Sequence, residues 1–249
     1  MVPGSWPGEE SDISARHFVR KLEAYAPLSP GDEEALHELA LRHQRSCAGR
    51  ADIISEGEHP KTIYLILEGW ACRYKTLEDG RRQVLSLFVP GDLCDLYVYI
   101  LDRMDHSIAA LTPLKFALIS PAELEELTDA RPRVVRALWW ESLVTAAIQR
   151  EWLVSAGQRS SLEALAHLLC EAFFRLRLVG LEKDACCAFP LTQSDMADAL
   201  GVTQPHVSRT LRELHETGLV TLRRGRLTVH DVTGLRRLAS FNPDYLHHR

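Results

Sequence analysis

The segment VTQPHVSRTLREL, Val202–Leu214, sorts its side chains by type at helical spacing. Val207, Leu211 and Leu214 define an apolar face. Gln204, His206, Ser208 and Arg209 fall outside it, close to the helix start, with Arg212 one turn further on. Such donors and acceptors suit the edges of base pairs in a DNA major groove. A glutamine amide can both donate and accept, and an arginine fork can bind guanine O6 and N7 together. Pro205 fits the first turn, where its missing N–H leaves no helix bond unmade.

Other chemistries find little support. The chain has no nucleophile elbow, no phosphate-cradling glycine loop and no metal-spaced His/Glu set, so neither catalytic residues nor a metal is expected. Six cysteines, Cys47, Cys72, Cys94, Cys170, Cys186 and Cys187, show no C-x2-C spacing, and an adjacent pair is awkward for one metal. Buried, inert thiols are the expectation.

The elements around the polar segment suit a DNA reader. Upstream, Thr192-Gln193-Ser194-Asp195 has the spacing of a capping box and opens a helix carrying Met196, Ala197 and Leu200. Gly201 then accepts a left-handed turn, Val202 fills the gap beneath it, and Thr203 caps the second helix. Ala197 is small enough to let the two helices approach. Downstream, TGLVTLRRGRLTVHDV reads as two strands joined at Arg224-Gly225, with Arg223, Arg224 and Arg226 placed to lie along phosphates. The set of DNA-contact candidates is therefore Thr192, Gln193, Thr203, Gln204, His206, Ser208, Arg209, Arg212, Arg223, Arg224 and Arg226.

Further upstream the patterning changes. Residues 1–15 are rich in Pro, Gly and acid and are expected to be a flexible tail. Two short helices follow, the second starting at Ser29-Pro30-Gly31-Asp32. From about 50 to 120, short β-branched runs are punctuated by Gly57, Gly69, Gly80 and Gly91, spaced 12, 11 and 11 residues apart. That rhythm predicts an antiparallel roll, with Asp79-Gly80 as its clearest hairpin turn.

Helical periodicity returns at Asp129, predicted as a cap, and runs to about residue 157 with two apolar stripes. Val134, Leu138, Thr145, Ile148 and Trp152 form one; Val135, Trp139, Leu143, Ala146 and Leu153 form the other. One stripe suffices for the chain's own core, so the second points to a partner helix, and the Val134 stripe is assigned to dimerisation. A helix sandwiched between two domains of one chain is the alternative. The predicted fold is thus α+β. A sensor roll spans 16–128, a dimerisation helix 129–157 and a winged helix-turn-helix domain 158–249.

With 249 residues, 46% of them apolar and 25% charged, the chain can bury two cores, and its apolar runs are too short to span a membrane. The N-terminus lacks a signal peptide's pattern, so a cytoplasmic location is expected. Net charge is −5, but residues 186–240 carry seven Arg/Lys against five Asp/Glu, leaving −7 for the remainder. The basic balance sits with the polar segment.

The stretch TQSDMADALGVTQPHVSRTLRELHETGLVTLRRGRLTV resembles the DNA-binding half of the Crp/Fnr superfamily, and LILEGWACRYKTLEDGRRQVLSLFVPGD is similar to that family's cyclic-nucleotide-binding-like roll. The resemblance covers nearly the whole chain. It implies a homodimer on a two-fold symmetric site in double-stranded DNA, with RNA polymerase as a further partner. Ser208-Arg209 matches the family's recognition pair, whereas Pro205 stands where the family usually has a glutamate that accepts from cytosine.

The sensor half departs from the pattern too. His106 stands before Ser107 where an arginine would hold the cyclic phosphate, so cyclic AMP is not expected. No N-terminal cysteine group is present to hold an iron–sulfur cluster, and lone histidines such as His59 and His106 are poor grounds for haem, so no cofactor is expected. Asp95, Tyr97, Tyr99, His106 and Ser107 are candidates for a small-molecule effector pocket, and an effector-independent roll is equally consistent with them. The alternatives are a cyclic-nucleotide- or redox-responsive regulator and, in a different class, a protein-interaction module using the winged domain.

Overall fold

The structure, a computed structural model, describes residues 7–96 and 98–247. Helix α1 (Pro7–Glu23) leads into α2 (Pro30–Leu41). Eight strands follow: β1 (Gln44–Cys47), β2 (Asp52–Ile54), β3 (Ile63–Glu68), β4 (Ala71–Thr76), β5 (Arg82–Phe88), β6 (Leu93–Cys94), β7 (Ser107–Ala110) and β8 (Leu114–Ile119). A 3-10 turn at Val98–Ile100 precedes β7. Helices α3 (Pro121–Ala130), α4 (Pro132–Gly157) and α5 (Ser161–Leu178) come next. The chain closes with β9 (Glu182–Lys183), β10 (Cys186–Ala188), α6 (Gln193–Leu200), α7 (Gln204–Glu216), β11 (Val220–Arg223), β12 (Arg226–Val229), α8 (Val232–Leu238) and a 3-10 turn at Pro243–Leu246.

Two differences from the sequence reading concern helix starts. The backbone is helical from Pro7, inside the stretch expected to be a tail. Asp129 does not cap the long helix but lies within α3, which ends at Ala130; α4 begins at Pro132. Helix α3 has its own capping box, Ser120 with Glu123, and buries Leu124 and Leu127.

Contacts divide the described residues into two compact units, one drawn from within 7–71 and 88–143, the other from 72–87 and 144–247. In the first, antiparallel strands are ordered β1-β8-β3-β6, and β2 pairs with β7. Ile63, Leu65, Ile66, Leu67 and Ile108 are buried completely, which accounts for the β-branched runs. Gly69 adopts φ +87°, and a Cβ there would lie 2.3 Å from the Pro113 carbonyl, so no other residue fits that turn.

The second unit also includes the β4–β5 hairpin. The reason is a set of long-range bonds. Gln83 Nε2 donates to the Ala199 carbonyl at 3.3 Å, Arg82 Nη1 lies 3.9 Å from Asp198, and Arg175 Nη2 donates to the Leu87 carbonyl at 2.9 Å. The hairpin turn runs over 77–81, and of Asp79 and Gly80 only the glycine has positive φ, at +85°. The rest of this unit is α5 packed on α7 and α8, and a sheet ordered β11-β12-β10-β9.

Helix α4, about 39 Å long for its 26 residues, carries both apolar stripes. The stripe assigned to dimerisation is the chain's own core: Val134, Leu138 and Ile148 are buried, and Thr145 and Trp152 are half-buried. Trp152 is further tied down, its indole N–H donating to the buried Glu171 carboxylate at 3.1 Å. The exposed stripe is the other one. Trp139, Leu143 and Leu153 keep 59%, 56% and 74% of their surface in solvent. The assignment therefore moves from the Val134 stripe to the Trp139 stripe.

Candidate nucleic-acid interface

Helix α6 opens on a complete capping box: the Thr192 hydroxyl accepts from the Asp195 N–H, and Asp195 accepts from the Thr192 backbone. Burial of Asp195, Met196 and Ala197 anchors it. It stops at Gly201, in the left-handed region at φ +67°, where the Gly201 N–H still reaches the Ala197 carbonyl. The Val202 N–H bonds that same carbonyl at 3.1 Å, closing the turn before α7.

Helix α7 is seated by Val207, Thr210 and Leu214, all buried, with Leu211 half-buried. Gln204, Pro205, Arg209 and Arg212 are exposed, and Ser208 is half-buried. Thr203 stands at the cap position, but its side chain makes no capping bond. His206 differs from expectation: its Nε2 lies 2.7 Å from the Ser161 hydroxyl, so the ring is engaged with α5 instead of standing free on the reading face. The Thr192 hydroxyl is likewise spent on its capping box, whereas Gln193 is exposed.

The wing is a two-residue hairpin. Arg223 pairs with Arg226 across the turn, and Arg224 and Gly225 both have positive φ, +49° and +71°. That geometry matches the right-handed twist of the strands. Arg223, Arg224 and Arg226 are all exposed, and Arg226 also donates to the Cys186 sulfur at 3.3 Å. Hydrogen bonding from Thr228 and Arg226 lowers the Cys186 thiol pKa, whereas burial pushes Cys170 and Cys187 up to about 12. Cys186 is thus not one of the inert buried thiols that the sequence led us to expect.

Of the effector candidates, Asp95 and His106 come together. His106 Nε2 lies 2.8 Å from Asp95 and its Nδ1 lies 2.6 Å from Asp105, so both ring nitrogens are held by carboxylates. The Ser107 hydroxyl accepts the Glu56 N–H. Tyr97 lies outside the described residues, as does the Tyr99 side chain.

Residues 163–238 match the Crp-like helix-turn-helix domain family, and residues 44–131 match the cyclic nucleotide-binding domain family. The chain is 30% identical over 210 residues to the transcriptional activatory protein AadR of Rhodopseudomonas palustris, covering 82% of this chain and 83% of that one. It belongs to the Crp/Fnr family of DNA-binding transcription regulators. It is also 30% identical over 215 residues to the transcriptional activator protein FnrL of Cereibacter sphaeroides, covering 83% and 84% of the two chains. Among solved structures it is similar in fold to FixK2 from Bradyrhizobium japonicum, with a TM-score of 0.70 at 24% identity, over 80% of this chain and 98% of that one. Among the described residues no helix is long and apolar enough to cross a membrane, and no group of three His, Cys, Asp or Glu side chains could hold a metal.

The helix-turn-helix match spans α6, α7 and the wing. What sequence reasoning missed is the set of residues that position them. Gln83 and Arg82, on a hairpin more than a hundred residues away in the chain, bond to α6, and no local pattern announces such a contact.

Proposed function

We propose that the chain acts in the cytoplasm as a homodimer whose two α7 helices read a two-fold symmetric site in double-stranded DNA. The exposed start of α7, together with a three-arginine wing in the same unit, is the observation that carries the reading. Arg209 and Gln204 supply base contacts, with Arg212, Arg223, Arg224 and Arg226 on phosphates. Gln193 and Ser208 border that surface. The dimer forms through the Trp139 stripe of α4, where a solvent-exposed tryptophan and two leucines at helical spacing suit a partner helix. RNA polymerase is the partner at the promoter. We read the roll as not a cyclic-nucleotide sensor, because a histidine, not an arginine, precedes Ser107 and both of its ring nitrogens are engaged by carboxylates.

The test is binding to duplexes selected from random sequence, at several salt concentrations. Wild type is expected to lose affinity steeply with salt and to prefer one palindrome. Arg209→Ala should lose about tenfold or more in discrimination with its thermal unfolding unchanged. An Arg209→Ala variant that selects the same palindrome with the same preference rules out this assignment.

A further inference from the structure

Inside the second unit, Glu171 of α5 keeps only 1% of its surface exposed, an uncommon place for a carboxylate. Three elements answer it. Trp152 of α4 donates its indole N–H at 3.1 Å, Tyr245 of the turn at Pro243–Leu246 donates its hydroxyl at 3.1 Å, and Arg175, one turn further along α5, donates Nη1 at 3.2 Å. Arg175 Nη2 reaches on to the Leu87 carbonyl at 2.9 Å. Burial raises the Glu171 pKa, and all three donors oppose that rise. Burial and the Glu171 charge also raise the Tyr245 pKa, so that hydroxyl keeps the proton it donates.

The joint between α4 and α5 is held at a second point. Only residues 158–160 separate the two helices. From that link Arg159 folds back on the end of α4, donating to the Glu151 carboxylate at 2.7 Å, the Ser155 hydroxyl at 2.9 Å and the Glu151 carbonyl at 3.1 Å. Glu171 lies about 15 Å along the α5 axis from Ser161, the first residue of that helix. Arg159 fixes the pivot and Glu171 the arm, so a slip of about 1 Å at the arm is a turn of about 4° between the helices. Apolar contacts absorb such a slip, whereas directed bonds weaken steeply off their axes and specify one register.

That angle matters at both of its ends. On the part of α4 within the second unit, Leu153 is 74% exposed, on the face assigned to a second copy of the chain. At the other end α5 carries α7, with the Ser161 hydroxyl 2.7 Å from His206 Nε2. The angle between α4 and α5 therefore sets where the reading helix stands relative to the dimer contact.

We propose that Glu171 is a positioning residue for DNA binding: with Trp152, Arg175 and Tyr245 it locks the α4–α5 joint and so fixes the half-site spacing that the dimer accepts. This rests on the two-fold DNA reading given above. One base pair added between half-sites moves the second by about 3.4 Å and turns it by about 35°. Two binding modules on a stiff link discriminate sharply between such spans, and on a loose link they accept several.

The experiment compares full-length chains on three duplexes that carry the same half-sites at the selected spacing, one base pair closer and one base pair further apart. Wild type should bind the selected spacing about tenfold or more tighter than either neighbour. Glu171→Met with Arg175→Met and Trp152→Phe replaces the set by apolar side chains of similar length, so no buried charge is stranded. This triple variant should narrow the ratio to about threefold or less, with its dimer dissociation constant within about twofold of wild type. Lower stability by itself weakens binding to all three duplexes by one common factor, so a folded triple variant that keeps the wild-type ratio overturns the proposal. Should the triple variant unfold, Tyr245→Phe decides alone, since it removes one donor and leaves the other bonds in place. Its ratio should fall about twofold or more, and an unchanged ratio overturns the proposal. Wild type that binds all three duplexes equally would instead sink the two-fold reading, and the role of Glu171 with it.

Discussion

Lys21 Nζ on α1 lies 2.5 Å from Glu141 Oε1 on α4, and the same ammonium lies 2.6 Å from Asp92 Oδ1 in the turn after β5. All three side chains are buried. Asp92 is held a second time, accepting the Val89 N–H at 2.7 Å. One cation thus ties the last turn of α1, a turn and the long helix together inside the first unit. A buried ion pair adds little over a well-packed apolar replacement, but removing one partner leaves uncompensated charge. Lys21→Met should therefore lower unfolding free energy by about 3–5 kcal/mol, read from the urea midpoint at unchanged slope. Lys21→Met with Glu141→Leu should recover part of the loss, because the remaining carboxylate keeps its backbone donor. A double variant no more stable than Lys21→Met would show that charge is not what the lysine answers.

Pro205 occupies the first turn of α7, exposed, beside Gln204 and one turn before Arg209. It leaves every helix bond intact while offering the groove no acceptor. Pro205→Glu restores an acceptor for cytosine N4, so the preferred half-site should change at one position, by about tenfold between bases, with total affinity little altered. Sequencing of duplexes selected by both proteins decides it. Identical selected sites would mean that this residue does not face a base.

Much of the second unit was legible because its signals are local. Thr192 with Asp195 forms the capping box that its spacing announces, and in the first unit Ser29 caps α2 where the sequence placed a helix start. Arg224-Gly225 makes the tight turn that a glycine second in a pair suggests. Helix α3 carried the same kind of signal, Ser120 with Glu123, but only Leu124 and Leu127 mark its apolar side, too few to show a period. The stripes on α4 failed differently. Periodicity shows that two apolar faces exist, and nothing in it says which one meets the chain's own core. The burial of Val134 and the Trp152–Glu171 bond decide that, and both are tertiary facts. For the same reason Gln83 gave no hint of its bond to α6, and Ser161 gave none of its hold on His206.

The exposed stripe predicts how the protein associates. Trp139→Glu with Leu143→Glu places charge on the face assigned to the partner helix. Both positions are more than half exposed in the single chain. Stability of the isolated chain should then change by no more than about 0.5 kcal/mol per site, as is usual for surface positions. Loss of an anchoring tryptophan from an interface costs about 2 kcal/mol or more, roughly thirtyfold in dissociation constant. Sedimentation should show monomer where wild type is dimeric. An unshifted monomer–dimer equilibrium would move the interface off this stripe.

His167 predicts a pH dependence of stability whose sign follows from its surroundings. Burial, then the Arg159 charge, lower its pKa to about 4 from an ordinary value of 6.5, against a smaller upward pull from Glu151. Between those values the unfolded chain takes up a proton that the folded chain refuses. Stability from this group is therefore complete above pH about 6.5 and falls away as the pH drops toward about 4, by on the order of 3 kcal/mol in all. Glu171, whose pKa is raised chiefly by burial, acts in the opposite sense, because its folded form holds a proton more readily than the unfolded one. The comparison that isolates His167 is thus wild type against His167→Phe, each unfolded in urea across the same pH range. The variant's stability should fall less steeply on acidification, the gap between the two curves narrowing toward pH about 4. Parallel curves would show that the ring is charged, or solvated, in the folded chain.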